Sequence, residues 1–176
     1  MKLKKKGTGL RMWKYTPYRK EMGETMGYIE DLRTVVGNEP LILVGVAVAV
    51  INDMGEFLLQ KRIDGRWGVP GGFIELGEST EEAGRREVLE ETGIEIGRLD
   101  LAGVISGKEH YVKLPNGDEF YPVTIAYISR DMKGGVLKAD GLETTEAKFF
   151  RADELPEGLN PMIKNLIKQY AQSLSQ

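Results

Sequence analysis

GGFIELGESTEEAGRREVLEETGI, residues 71–94, is the stretch that decides how this chain is read. It begins as a glycine-rich loop and turns into a helix. Ser79, with Glu82 three positions on, is a capping-box pattern that predicts a helix from Ser79 to about Glu91. Gly93 ends it. Glu87, Glu90 and Glu91 stand at i, i+3 and i+4. Like charges at that spacing destabilise an isolated helix by about 0.2–0.5 kcal/mol per pair. With Ala83 at zero on a helical wheel, the three acids fall at about 40°, 340° and 80°, a single arc about 100° wide. Val88 and Leu89 lie outside it. A solvated Glu-rich face is the plain reading. The absence of lysine partners at i+4 and the glycines just upstream, which let backbone approach a ligand, favour another. Three convergent carboxylates form an oxygen site for a hard divalent cation, Mg²⁺ or Mn²⁺. The chain has no cysteine and one histidine, His110, so neither Cys-ligated zinc nor an H-E-x-x-H centre is available.

Working outward, GYIEDLRTVVG (27–37) has the period of a short helix. Leu41–Ile51 is a β-branched and small-residue run, expected as a strand buried on both faces. After a turn at residues 52–55, Glu56–Arg62 reads as the returning strand of a hairpin. Residues 63–72 form a loop. Further strands are expected from Leu99, from Phe120 after an Asn-Gly turn in LPNGDEF (114–120), and at Lys148–Phe150. NPMIKNLIKQY (160–170) is a closing helix, with Asn160 as cap and Pro161 in its first turn. Hairpins mixed with three helices imply an α/β fold with a mixed sheet sandwiched by helices. Residues 1–24 hold eight Lys or Arg against Glu21 and Glu24, so a +6 arm precedes a body of −9. Residues 1–25 are read as a basic N-terminal arm and 26–176 as one domain, with Met26 as a candidate start. A solvated arm and a nucleic-acid contact are both compatible with that charge. No run is long enough for a membrane span, and the lack of cysteine fits a reducing cytoplasm.

The same stretch resembles the Nudix box, G-x5-E-x7-R-E-U-x-E-E-x-G-U with U apolar. Gly72, Glu78, Arg86, Glu87, Val88, Glu90, Glu91, Gly93 and Ile94 fill every fixed position. QKR and WGVPGG upstream and FFRADELP downstream are similar to other stretches of the Nudix (MutT-like) hydrolases, so the resemblance covers roughly Leu41 to Tyr170. It implies an α/β/α sandwich with a loop–helix–loop box, and cleavage of the diphosphate linkage in a nucleoside diphosphate joined to a group X. It further implies two or three Mg²⁺ or Mn²⁺ ions, a small nucleotide as partner and, as in many members, a homodimer.

By position, the resemblance gives Glu87, Glu90 and Glu91 as metal-binding acids, with Glu87 also a candidate base. Arg86 and Glu78 would orient the cluster, and Gly71, Gly72 and Phe73 would lay backbone against metal or phosphate. A further carboxylate is expected from the loop before the last strand: Glu143 first, Asp140 and Glu146 behind it. Arg62 and Arg66 are candidate phosphate ligands. Trp67 is read as packing, Tyr111 as a candidate substrate contact and His110 as structural. The proline that marks many ADP-ribose hydrolases fifteen residues past the box is Glu109 here; Tyr111, at seventeen, is a weak dinucleoside polyphosphate marker. ADP-ribose or a sugar nucleotide, a dinucleoside polyphosphate and a modified triphosphate all stay open. So do an RNA 5′ end, using the basic arm, and a nucleotide-sensing module without turnover.

Overall fold

A computed structural model describes residues 27–173, which leaves the basic arm at 1–25, and Met26, outside the described residues. In chain order the elements are α1 (Tyr28–Val36), β1 (Leu41–Val50), β2 (Phe57–Arg62), β3 (Trp67–Gly68), α2 (Thr80–Thr92), β4 (Ile94–Ile96) and β5 (Asp100–Ile105). A 3₁₀ turn (Lys108–His110), β6 (Val112–Lys113), β7 (Glu119–Ser129), β8 (Met132–Gly135), β9 (Thr144–Phe150) and α3 (Pro161–Ser173) follow.

Two sheets carry the fold. In the first, β1 pairs in parallel with β7 along its whole length, from Leu41 opposite Phe120 to Val50 opposite Ser129. On β7's far side, β5 and then β6 pair antiparallel. Val112 and Lys113 face Phe120 and Glu119, so the Asn-Gly hairpin forms where the sequence places it. In the second sheet the order is β3-β2-β9. The side chains of Val46, Val48 and Val50 join Leu58, Ala83 and Val88 in a core under α2. Ile51, Phe57, Leu59 and Trp67 join Ile167 in a second core under α3. The sandwich of helix, sheet and helix is the expected one.

Three expectations need correcting. The segment 56–62 does not return alongside β1. After one bridge, Ile51 to Phe57, β2 leaves for the second sheet, where it pairs with β9. Phe57, Leu58 and Leu59 are all buried, so β2 gains more between two layers than as one arm of a hairpin. The reversal needs no ladder, because the Asn52 Oδ1 accepts from the N–H groups of Met54 and Glu56. Second, β1 is buried on both faces only in its later half: Ile42 is 75% exposed and Val44 43%. Third, β9 begins four residues before Lys148, and the short pair β4–β8 has no counterpart in the sequence reading. β8 reads MKGG, with no alternation to reveal it.

The box loop is fixed to the free edge of β1. The Val46 N–H donates to Gly72 O at 2.8 Å, Val48 N–H to Pro70 O at 2.9 Å and Ile74 N–H to Val44 O at 3.2 Å. These bonds hold residues 70–74 beside the strand without regular secondary structure, and deliver the chain to the start of α2.

Candidate active site

α2 is capped as its sequence dictates. The Glu82 N–H donates to Ser79 Oγ, and the Ser79 N–H donates back to the Glu82 carboxylate at 2.8 Å. At the other end Gly93 is left-handed (φ 71°), and its N–H donates to Leu89 O at 2.8 Å. Buried positions on the helix are Ala83, Gly84, Val88, Glu91 and Thr92. That core-facing arc includes the wheel position of Glu91, so the acidic face is not uniformly solvated. Glu91 lies inside at 4% exposed, the Glu87 side chain is at the rim at 13%, and the Glu90 side chain stands outside at 58%.

Burial pushes the Glu91 carboxyl up to about 7, against opposing hydrogen bonds from Gln60 and from the Gly71 N–H, which donates to Oε2 at 2.8 Å. Burial also raises Glu87, against the pull of Arg86; Glu90 and Glu143 add repulsion, which brings Glu143 within electrostatic reach of Glu87. Arg86 is the hub. Its Nε and Nη2 donate to the two oxygens of Glu78 at 2.6 and 2.9 Å. Nη1 donates to Glu87 at 2.8 Å and Glu90 at 3.1 Å, and Nη2 also donates to Phe73 O at 3.1 Å. All five guanidinium N–H groups thus have a partner. Arg86 in turn holds the Glu78 carboxyl below the usual range.

The donor set fits a hard cation. It consists of oxygens: three carboxylates of α2, Glu143 nearby and the backbone of the box loop. Glu87 and Glu90 already close on one cationic nitrogen, Arg86 Nη1. Among the described residues no three acids converge on a single point.

A NUDIX domain profile matches residues 41–170. The chain belongs to the Nudix family. It is 34% identical over 127 residues to a Bacillus subtilis (strain 168) protein provisionally named 8-oxo-dGTP diphosphatase, covering 72% of this chain and 78% of that one. It is 38% identical over 112 residues to the ADP-ribose pyrophosphatase of Methanocaldococcus jannaschii, covering 61% of this chain and 62% of that protein. The MutT NUDIX hydrolase structure from Burkholderia pseudomallei superposes with a TM-score of 0.59 at 28% identity, covering 73% of this chain and 97% of that one. The α/β sandwich is therefore the Nudix fold. Among the described residues no helix is long and apolar enough to cross a membrane.

Within this Nudix domain the expected residues separate. Arg66 is tied to Asp64 by two bonds at 2.8 and 2.5 Å and is largely exposed. Arg62 lies within electrostatic reach of Glu91. Asp140 is committed to its own loop, accepting from the N–H groups of Leu142, Glu143 and Thr144. Glu146 is exposed, opposite Lys61. Trp67 is buried edge-on to Phe150, which is the expected packing role. Tyr111 is not brought to the carboxylates: β1 and β7 separate it from the box loop, and its ring lies 5.2 Å from that of Tyr121. His110 lines a groove of about 680 Å³ between the first sheet and α3. Ala47 and Val69 line the same groove close to Gly71.

The two loop glycines are constrained differently. A Cβ at Gly71 would sit 2.2 Å from Val46 O and 2.9 Å from Ala47 Cα, both backbone. A Cβ at Gly72 would first meet the Glu87 carboxylate, 2.4 Å from Oε1. Gly71→Ala is expected to destabilise by about 1–3 kcal/mol, because the strand must move. Gly72→Ala is expected to melt close to wild type, because a side-chain end can swing away. Thermal melts of the two variants check the contrast.

Sequence reasoning missed Gln60 and Thr144. Both are buried, and the Thr144 hydroxyl donates to Gln60 Oε1. The signal was present: on β2, Leu58 faces α2, and Gln60 puts an amide on that same side two residues later.

Proposed function

We propose that this chain is a Mg²⁺- or Mn²⁺-dependent pyrophosphohydrolase that cleaves the diphosphate of a nucleoside diphosphate joined to X. The single observation that carries the reading is the half-buried row of Glu87, Glu90 and Glu91 beside the Gly71–Gly72 backbone, an arrangement with too much negative charge for a packing role. Glu87, Glu90, Glu91, Glu143 and the Gly71 backbone would hold two or three cations. When bound, such cations would neutralise phosphoryl oxygens and lower the pKa of a bound water. Arg86 and Glu78 keep the carboxylates aimed. Glu87, at the rim of the cluster, would accept a proton from the attacking water in this reading. The groove next to Gly71 offers room for one of the two groups that flank the diphosphate.

Arg62 is the phosphate ligand in this reading, and Arg66 is not. Arg62→Ala is expected to lower kcat/KM by about 10- to 100-fold, the loss of one charged hydrogen bond. Arg66→Ala should stay within about twofold, since its exposed pair with Asp64 contributes little. Gly72→Ala, in turn, is expected to lose about tenfold or more in kcat by displacing Glu87, despite its near-normal melt.

The deciding experiment is a substrate panel with product identification, run with Mg²⁺, with Mn²⁺ and with chelator. ADP-ribose, sugar nucleotides, diadenosine polyphosphates, oxidised nucleoside triphosphates and capped RNA form the panel. Release of a nucleoside monophosphate from at least one substrate, only with metal, is expected. Binding without turnover across the panel would replace the enzyme by a nucleotide-sensing module.

A further inference from the structure

Gln60 occupies a position that the packing alone would give to an apolar side chain. It is 1% exposed and stands in the α2-facing row of β2 with Leu58. Its Oε1 accepts from the Thr144 hydroxyl, and Thr144 is fully buried as well. With its oxygen used, the amide nitrogen is free to donate toward the buried Glu91 carboxylate, whose charged form the Gln60 side chain favours. Thr144 is inward for an identifiable reason. The β2–β9 register slips between Lys61 and Arg62, so that Thr144, not Thr145, stands opposite Arg62. Just upstream, Asp140 accepts from the N–H groups of Leu142, Glu143 and Thr144, and the Gly141 N–H donates to Thr144 O at 2.9 Å. The turn bearing Glu143 is therefore a rigid unit, tied to the end of β2 by the Ile63 N–H, which donates to Glu143 O at 3.1 Å, and anchored inward by the Thr144 hydroxyl.

We propose that Gln60 is a positioning residue which orients the Glu91 carboxylate for cation binding and, through Thr144, holds the turn that brings Glu143 to the same site. The inference rests on the metal-dependent reading given above. A buried amide between two partners fixes both the plane of the carboxylate and its distance from the Glu143 turn. An aliphatic residue of the same size would fill the space and leave both unset.

The test is Mn²⁺ binding by calorimetry, with kcat and KM on the best panel substrate, for wild type, Gln60→Leu, Thr144→Val, Thr144→Ser and the double variant Gln60→Leu/Thr144→Val. Gln60→Leu is expected to weaken Mn²⁺ binding and kcat together by about 10- to 100-fold, the usual effect of losing a ligand's supporting hydrogen bond, with KM changed much less. Thr144→Val follows in the same direction and Thr144→Ser restores wild-type behaviour. The double variant is no worse than Gln60→Leu alone, because both act through one chain of contacts. Folded Gln60→Leu and Thr144→Val proteins that bind Mn²⁺ as wild type does would overturn the proposal, as would additive losses in the double variant. If Gln60→Leu fails to fold, the Thr144→Val and Thr144→Ser pair decides by the same criteria. Wild-type protein that binds no Mn²⁺ would instead sink the metal reading on which the proposal stands.

Discussion

Glu90→Gln is expected to lower kcat by about 10²–10³-fold while the protein melts as wild type does. The Glu90 side chain is 58% exposed and makes one bond, to Arg86, at 3.1 Å, so its removal has little structural consequence. What disappears is one negative charge beside Glu87. Glu91→Gln is expected to lose activity by at least as much, but for a buried group the stability effect has its own sign. Burial raises the folded-state carboxyl from 4.5 to about 7. A group raised in this way favours folding while it is protonated, and loses that contribution as pH climbs through its folded value. In chelator, wild type should therefore weaken between about pH 4.5 and pH 7 relative to Glu91→Gln, which does not titrate. Paired thermal melts across that window measure it. Equal pH dependence in the two proteins would mean that Glu91 is not held in a desolvated position, and full activity in both Gln variants would remove the metal assignment.

Arg86 should show the largest stability effect among the charged residues of the site. It bonds Glu78, Glu87 and Glu90 at once and is itself mostly covered, its side chain 27% exposed. Arg86→Ala leaves three acids with no counter-charge. Breaking such a partly buried network is expected to destabilise by about 3 kcal/mol, the low end for buried pairs. In a domain of this size that lowers Tm by about 6–12 °C. Arg86→Lys should recover little, because an ammonium cannot meet both Glu78 oxygens while reaching Glu87, Glu90 and Phe73 O. Mn²⁺ should restore part of the lost Tm in Arg86→Ala, since a cation that binds only the folded protein stabilises it by mass action. Melts with and without Mn²⁺ check both points. A Tm unchanged by Arg86→Ala would show that the carboxylates do not repel one another as their placement requires.

Local rules account for the parts that the sequence made visible. The Ser79–Glu82 box, the Gly93 stop and the Asn-Gly hairpin each depend on a few neighbouring residues, and each formed as read. The spacing of Glu87, Glu90 and Glu91 needed only a helix. What the sequence hid was set by partners far along the chain. The parallel pairing of β1 with β7 joins residues about eighty positions apart, and nothing in either strand names the other. The departure of β2 from β1 follows from the competition between two layers for Phe57, Leu58 and Leu59, which a hairpin pattern does not register. The division of the acidic face into buried Glu91 and exposed Glu90 depends on where α2 meets the sheet. A wheel drawn with the carboxylates at its centre conceals that line. Gln60 was legible in principle, as a polar residue in an apolar row, but its partners lie on α2 and β9.

The most direct measurement of the central claim is turnover and Mn²⁺ binding followed on the same metal-stripped sample as Mn²⁺ is added back, for wild type and Glu90→Gln. Wild type is expected to be silent in chelator, to gain activity in step with Mn²⁺ occupancy, and to do so at lower Mn²⁺ than Glu90→Gln. Hydrolysis that persists undiminished in chelator, or a Glu90→Gln titration that overlays wild type, would contradict it.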